Sequence, residues 1–163
     1  LAQQITMMLI LTQSGEQLNV ARRIFYESDE DLRNEKSIAD HIASAYDMIL
    51  KKMHMKMAID YMAFDSMDTN ALAVIEVKRR KISSKKYKTV ILSLAKFNKG
   101  IEFYNSNDLS FIFAVEFNDG IFSYEYSPED NFMIVFGGRK DRGDSQDIEP
   151  VIHIPIKRME QLL

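Results

Sequence analysis

The sequence predicts an α/β fold in which helices and strands alternate along one chain. Three observations support this prediction. A stretch with the apolar spacing of a helix begins at Ser28 and extends to about residue 53, two strand-like apolar runs follow at 56–64 and 71–79, and a second helical stretch lies near 86–104. The 163 residues, 46% of them hydrophobic, suffice for one domain with a substantial core. We therefore expect a single domain over residues 1–163.

The first predicted helix carries an acidic residue on its apolar stripe. Ser28 supplies a capping hydroxyl, and the acids after it suit the positive end of a helix. Glu35 lies one turn after Leu32 on the stripe, where an inward-facing carboxylate is costly without a partner. Glu35 is therefore either a residue at the edge of the stripe that reaches water or part of a charged site. The other stripe residues are Ala39, Ile42, Tyr46 and Ile49.

The two predicted strands bring acidic and basic side chains together. Residues 65–70 are rich in turn formers, and a hairpin symmetric about Asp68 puts Asp60 opposite Glu76. Lys78 shares the face of Glu76 because side chains alternate along a strand, and a shift of one residue would break the arrangement. Facing acids destabilise a hairpin unless a cation lies between them. With no cysteine and three scattered histidines, the ligands would be oxygens, which favours Mg²⁺ or Mn²⁺.

A basic segment follows the acidic pair. Residues 77–101 contain nine Lys or Arg and no acid in a chain of net charge −3, whereas residues 100–138 contain seven Asp or Glu and no Lys or Arg. This asymmetry is typical of a surface that binds a polyanion, although a solvated lysine face gives the same pattern. We expect the second helix to present four lysines within an arc of about 80°. The predicted contacts to DNA (RNA is not excluded) are Arg79, Arg80, Lys81, Lys85, Lys88, Lys96 and Lys99.

The remainder of the chain predicts further strands and a charged loop. Strands are expected at 110–117, 121–126, 131–136 and 151–156. The first two are rich in aromatic residues and either pair inside the molecule or pair across a homodimer. The loop at 137–148 contributes Arg139 and Arg142, which either approach phosphates or belong to a solvated loop with internal ion pairs.

Two smaller expectations concern single features. Residues 1–27 are assigned to an N-terminal extension, and Tyr87 is expected to pack on the apolar face of the second helix rather than to stack on a base. The early apolar run is too short to span a bilayer, and the absence of cysteine favours an intracellular, cytoplasmic location without membrane contact.

The order of these features resembles the PD-(D/E)xK nuclease superfamily. A helix with Glu35, a strand with Asp60, a strand with Glu76-Val77-Lys78 and a second helix cover residues 28–117 in the compact spacing of small phage-type members. Ile59 stands where the motif's name has Pro. The resemblance implies a restriction-endonuclease-like core, a mixed central sheet flanked by helices in the order αβββαβ. Only two strands are evident between the two helices, so one core strand is not identified.

The resemblance also implies a function and a mechanism. It implies a metal-dependent nuclease, an endonuclease that hydrolyses DNA phosphodiester bonds and acts in a bacterial host if the chain is phage-encoded. Asp60, Glu76 and the carbonyl of Val77 would ligate Mg²⁺ or Mn²⁺, Glu35 would hold a second metal or orient a water, and Lys78 would stabilise the attacking hydroxide or the oxyanion. Three alternatives stay open: a non-catalytic nucleic-acid-binding module, a Holliday-junction resolvase of the same superfamily, and a structural protein whose acids and lysines form ion pairs.

Overall fold

A computed structural model describes residues 28–138 and 148–162, and it confirms the α/β prediction. Within these residues two α-helices, α1 (Asp29–Tyr46) and α2 (Leu94–Asn107), pack against a mixed sheet. The strands in chain order are β1 (Ile49–Lys52), β2 (Tyr61–Phe64), β3 (Ala71–Arg79), β4 (Thr89–Ser93), β5 (Ser110–Phe117), β6 (Gly120–Glu125), β7 (Ile134–Gly138), β8 (Ile148–Pro155) and β9 (Glu160–Gln161).

The strands form two sheets. The larger one has the order β1-β2-β3-β5-β6-β9, with β3 and β5 parallel and every other pair antiparallel. The smaller one is antiparallel, with the order β4-β8-β7. The sequence α1, β1, β2, β3, α2, β5 is the expected αβββαβ order, with β4 inserted before α2. The aromatic strands β5 and β6 pair with each other inside the molecule, which decides between the two expectations for them.

Helix α1 ends earlier than predicted, and the strand that sequence reasoning did not identify follows it. Ser28 and Asp31 form a reciprocal capping box at the start of the helix. Asp47 adopts a left-handed conformation (φ 51°) that ends the helix. Ile49 therefore begins β1 instead of continuing the helical stripe, and the first helix does not reach residue 53.

Two further boundaries differ from the prediction. Helix α2 begins at Leu94 because residues 89–93, Thr-Val-Ile-Leu-Ser, form β4, where β-branched side chains are favourable. Lys85 and Lys88 consequently precede β4, and the expectation of four lysines on one helix is wrong. Strand β2 starts at Tyr61 rather than residue 56 because Met55–Met57 form a 3₁₀ turn.

Each face of β3 belongs to a different core cluster. Ile75 and Val77 pack with Ile38 and Ile42 of α1. On the opposite face, Val74 joins a cluster that contains aromatic residues from α2 and β5. Strand β3 is thus buried on both sides over its central residues, and any charge it carries there is removed from bulk water.

Helix α2 lies close to β5 at Gly100. A Cβ atom at that position would be 2.4 Å from the ring of Phe111, far inside van der Waals contact. Glycine therefore allows the helix to approach the strand, and the same helix carries Lys96 one turn earlier.

Some expectations lie outside the described residues. The N-terminal extension 1–27 does so, as do Arg139 and Arg142 with most of the 137–148 loop, whereas Gly137 and Gly138 belong to β7 and Ile148 to β8. In the described part of the chain, no helix is long and apolar enough to cross a membrane.

Candidate active site

The register of the β2–β3 hairpin brings Asp60 and Glu76 together. Tyr61 pairs with Ile75, so Asp60, the residue before β2, comes opposite Glu76, as the symmetric hairpin predicts. The amide of Val77 donates a hydrogen bond to Asp60 Oδ2 at 2.9 Å, and the amide of Met53 donates to the Asp60 carbonyl at 2.8 Å. The Asp60 carboxylate is therefore held against β3 at the open end of the hairpin, away from the turn at 65–70.

Glu76 is a buried acid with one unsatisfied oxygen. The side chain is 3% exposed, and its Oε1 accepts a hydrogen bond from Lys96 Nζ at 2.5 Å. Its Oε2 is buried and has no hydrogen-bond partner. Burial raises the pKa of Glu76 to about 8; the nearby Asp60 also raises it, and Lys96 acts in the opposite direction. The charged form of Glu76 is therefore disfavoured by burial and depends on a cation beside it.

Two lysines lie between the acids of the site. Lys96 Nζ is 3.7 Å from Asp60 Oδ1 in addition to its contact with Glu76. Burial lowers the pKa of Lys96, but Glu76 and Asp60 outweigh this effect and the net pKa is raised. Lys52 of β1 pairs with Glu35 and lies 3.9 Å from Asp60 Oδ1. The negative charges are thus compensated by ammonium groups from β1 and α2.

Lys78 lies on the face of Glu76 but contacts a different element. Its Nζ donates a hydrogen bond of 3.4 Å to the carbonyl of Ile91 in β4. Burial, with a contribution from Arg80, lowers the pKa of Lys78 to about 8. A cation that is partly removed from water is attracted more strongly to a nearby anion than a fully hydrated one.

A cleft of about 670 Å³ joins the predicted residues into one site. Its lining includes Glu35 from α1, Asp60, and Val77 and Lys78 from β3. Glu76 lies beneath this lining, next to Lys96. The basic residues that also line the cleft are Arg79, Arg80, Lys81 and Lys96.

The other basic residues of the predicted nucleic-acid surface lie apart from the cleft lining. Lys85 and Lys88 are exposed in the loop before β4. Lys99 pairs with Glu102 on α2 at 2.9 Å. Arg79, although it lines the cleft, pairs with Glu116 at 2.7 Å and also contacts Asn34. The cleft therefore receives its positive charge from the first part of the basic segment and from Lys96.

The donor chemistry of the site fits a hard divalent cation. Asp60, Glu76 and Glu35 offer carboxylate oxygens, and the unpartnered Glu76 Oε2 is a buried acceptor that a cation would satisfy. Among the described residues, no three His, Cys, Asp or Glu side chains are grouped closely enough to hold a metal ion as they stand. Lys52 and Lys96 are situated between these acids.

Sequence reasoning did not identify Lys52 as part of the site and assigned Lys96 only to DNA contact. Lys52 belongs to β1, whose residues the sequence predicts to be the end of a helix, so the pairing of this strand with β2 and the approach of Lys52 to Asp60 were not predicted. Lys96 reaches Glu76 across a separation of 20 residues. A glycine inside a predicted helix, Gly100, is a local signal that could have indicated a close approach of α2 to the sheet.

The fold and the acids and lysines that meet at the cleft agree with a nuclease of the PD-(D/E)xK superfamily. The chain belongs to the family described as phage putative PDDEXK endonuclease, whose model matches residues 21–162. No curated protein matches it. Among solved structures, Hjc of Archaeoglobus fulgidus, a Holliday junction resolvase from an archaeal hyperthermophile, is similar with a TM-score of 0.49 and 12% identity, over 78% of this chain and 91% of that chain.

Proposed function

We propose that this nuclease hydrolyses DNA phosphodiester bonds as an endonuclease, with Mg²⁺ or Mn²⁺ held by Asp60, Glu76 and the Val77 carbonyl and assisted by Glu35. The observation that carries the assignment is the buried Glu76 Oε2, which has no hydrogen-bond partner and lies opposite Asp60. An unsatisfied buried carboxylate oxygen costs free energy, and this cost is tolerated most readily where a ligand removes it.

The lysines of the site have a role in this proposal. A divalent cation lowers the pKa of its bound water and neutralises charge on the phosphate. The ammonium of Lys96, which lies 2.5 Å from Oε1, would be repelled by a cation held at the unpartnered Oε2 of the same carboxylate. Lys96 is more than one-third exposed, so it can turn toward the cleft, where a phosphate would attract it. Lys52 would remain paired with Glu35 when the cation is bound, or it would move together with the Glu35 carboxylate.

Lys78 is the residue that we propose to stabilise the reacting phosphate. It lines the cleft and is partly buried on the same strand face as Glu76. A fixed positive charge in a partly desolvated position stabilises the developing negative charge of the transition state more than a mobile surface lysine does. Its hydrogen bond to the Ile91 carbonyl would keep the side chain extended until the substrate arrives.

The DNA backbone would contact the basic residues around the cleft. Arg79, Arg80 and Lys81 lie at the cleft, and Lys85 and Lys88 continue from it along the chain. Lys96, Lys99, Arg139 and Arg142 complete the proposed set. Contacts of this kind supply affinity and salt dependence but no sequence specificity.

The test is cleavage of labelled single-stranded, duplex and four-way-junction DNA in Mg²⁺, Mn²⁺ or EDTA. We expect metal-dependent cleavage by the wild type and a loss of at least about 100-fold for Lys78→Ala, the effect of removing one group that stabilises transition-state charge. Lys36→Ala is the matched control, because Lys36 pairs with Asp40 on the outer side of α1, away from this cleft. Preference for the four-way junction would favour a resolvase.

A second function is favoured by one observation. Lys96 pairs with Glu76 and Lys52 pairs with Glu35, as expected if the charges only formed a structural ion-pair network around a surface that binds nucleic acid without cutting it. Mn²⁺ binding, measured by calorimetry or electron paramagnetic resonance, separates the two. Saturable Mn²⁺ binding that Glu76→Gln removes supports the metal site, and its absence in folded protein supports the network. Sedimentation of the protein with and without DNA tests whether the protein forms a homodimer.

A further inference from the structure

The loop at 80–88 is an extension of the cleft with an unusual composition. It joins β3 to β4, and five of its nine residues are Lys or Arg while none is acidic. Arg80 and Lys81 at its start line the cleft. Lys85, Lys86 and Lys88 at its other end are exposed. Both ends of the loop are therefore basic, and the first of them lies at the cleft, where a polyanion would meet it.

The loop is held in one conformation by the β5–β6 turn. The Asp119 carboxylate accepts hydrogen bonds from the Ser83 hydroxyl at 2.7 Å, the Ser84 amide at 2.7 Å and the Ser84 hydroxyl at 2.9 Å. The amide of Asn118 donates to the Ile82 carbonyl at 2.9 Å. Within the loop, the amide of Lys86 donates to the Ser83 carbonyl at 3.1 Å. These bonds order the loop before any ligand binds, which reduces the entropy lost on binding.

Tyr87 is the aromatic residue of this ordered loop, and it is not buried. Its exposed fraction is 58%, so the expectation that Tyr87 packs on the apolar face of a helix is wrong. It stands between the exposed Lys86 and Lys88, and Lys86 Nζ lies 5.5 Å from the centroid of the tyrosine ring. An aromatic ring contributes most to stability when it is buried, so a ring left this exposed gains little from folding.

We propose that Tyr87 stacks on an unpaired base, with Lys86 and Lys88 contacting the phosphates on its two sides. A base inside a duplex presents only its edges, because both of its faces are covered by neighbouring bases. A base in a single strand, a gap or a branch presents a face that an aromatic side chain can cover. This contact predicts that the preferred substrate is DNA with unpaired nucleotides beside the cleaved bond. That statement about the substrate rests on the proposed function.

The lysines around Tyr87 favour nucleic acid over a protein with an apolar surface as the partner that binds this loop. A protein that used Tyr87 as an anchor would have to leave three neighbouring lysines, Lys85, Lys86 and Lys88, solvated or supply acids for each of them. A single strand supplies one phosphate for every base, which is the alternation that Lys-Tyr-Lys matches. The continuity with Arg80 and Lys81 would lead the same strand into the cleft.

The experiment measures binding without cleavage. Fluorescence anisotropy in EDTA compares a labelled 20-nucleotide oligo(dT) with a duplex of the same length. Substitution Tyr87→Ala should weaken oligo(dT) binding about tenfold, within the range for loss of one stacked base, and change duplex binding less than about twofold. Tyr87→Phe, which keeps the ring, should bind like the wild type, whereas Tyr87→Leu, which keeps apolar bulk, should behave like Tyr87→Ala.

A probe without bases provides the sharpest control. On an abasic oligomer of the same length, wild type and Tyr87→Ala should bind equally, because no base remains to stack. The proposal is overturned if Tyr87→Phe loses as much as Tyr87→Ala, if the duplex loses as much as the single strand, or if Tyr87→Ala changes the oligomeric state instead. An oligo(rU) arm shows whether the strand is DNA or RNA.

This test separates failure of the inference from failure of the proposed function. Binding in EDTA requires neither the metal nor turnover, so stacking by Tyr87 can hold in a protein that does not cleave. Conversely, metal-dependent cleavage with no effect of Tyr87→Ala on single-strand binding would leave the nuclease assignment intact and reject the stacking contact alone.

Discussion

The two faces of strand β3 use neighbouring residues for different purposes. Ile75 and Val77 face α1 and are buried among apolar side chains. Glu76 and Lys78, which alternate with them, face α2 and β4, where Glu76 pairs with Lys96 and Lys78 donates a hydrogen bond to the Ile91 carbonyl. A strand covered on both faces can carry a charged carboxylate only if another element supplies an opposite charge. Stability and chemistry are therefore separated by the alternation of a single strand, and substitutions on its two faces should have separable effects.

The largest expected effect belongs to the charged face. Asp60→Asn keeps an acceptor for the Val77 amide but removes the negative charge. We expect the cleavage rate to fall about 1,000-fold, or roughly 4 kcal/mol of transition-state stabilisation, with little change in stability. Single-turnover kinetics and thermal unfolding measure the two quantities.

Asp68→Asn is the control on the same hairpin. Asp68 pairs with Lys51 outside the cleft and has a left-handed conformation that Asn accepts. Equal loss of cleavage in both variants would contradict a specific role for Asp60.

The apolar face should show the opposite behaviour. Ile75 is fully buried, and Ile75→Ala is expected to cost about 2–5 kcal/mol of the free energy of unfolding, through lost burial and the cavity it leaves. Cleavage per folded molecule should stay within about twofold of the wild type. Urea unfolding and activity corrected for the folded fraction check this; a larger loss of corrected activity would show that the two faces are coupled.

Glu76→Gln should move stability and function in opposite directions. The folded-state pKa of Glu76, about 8, lies above its ordinary value of 4.5, so the folded protein binds the extra proton between these pH values. The contribution of Glu76 to stability consequently falls as pH rises from about 4.5 to about 8. The uncharged glutamine avoids this loss.

We expect the variant to be about 1–3 kcal/mol more stable than the wild type near pH 8 and to lose this advantage toward pH 4.5, while cleavage is abolished. Urea unfolding at several pH values measures the difference. A constant difference across this range would show that the burial of the Glu76 charge is not its source.

The smallest effect concerns the loop at 80–88. Hydrogen bonds, first from the Ser84 amide, lower the pKa of Asp119 from 3.8 to about 2. The stabilisation of the loop is therefore complete above about pH 4 and is lost as pH falls through about 2. Nuclear magnetic resonance of the Ser84 amide should report a transition near pH 2.

Asp119→Ala should abolish that transition and weaken DNA binding at neutral pH by no more than about threefold, since every lysine remains in the loop. An Asp119 variant whose Ser84 amide still titrated near pH 2 would show that another group holds the loop.

Local patterns predicted some of these features and not others. The bounds of β3 followed from an apolar run between a turn-rich hexapeptide and a basic segment, and the pairing of Asp60 with Glu76 followed from the symmetry of the hairpin. The start of α2 did not, because Val90, Ile91, Leu94 and Phe97 fit a helical spacing as well as a strand followed by a helix. Pairing of β4 with β8, some 60 residues later, decides between the two.

The residues of the candidate site also fall into those that local patterns predict and those that long-range packing decides. Its acids lie on adjacent elements, so strand alternation and a short turn were sufficient to bring them together. Their lysine partners come from β1 and α2, and such contacts depend on how far each element lies from the sheet. The exposure of Tyr87 belongs to this second group, because it depends on the loop being fixed by a turn 30 residues further along.

Gly100 keeps α2 close to the sheet, and the ion pair between Lys96 and Glu76 depends on that distance. An alanine Cβ would have to move about 1 Å away from Phe111, from 2.4 Å to the 3.4 Å at which ordinary contact begins. Lys96 and Gly100 share one helix face, so a helix displaced by that amount would also move the backbone of Lys96 and disturb its 2.5 Å contact with Glu76. Glycine carries a hydrogen atom where alanine carries a methyl group. This small difference fixes the distance between α2 and the aromatic core, and through Lys96 it affects the charge compensation of Glu76.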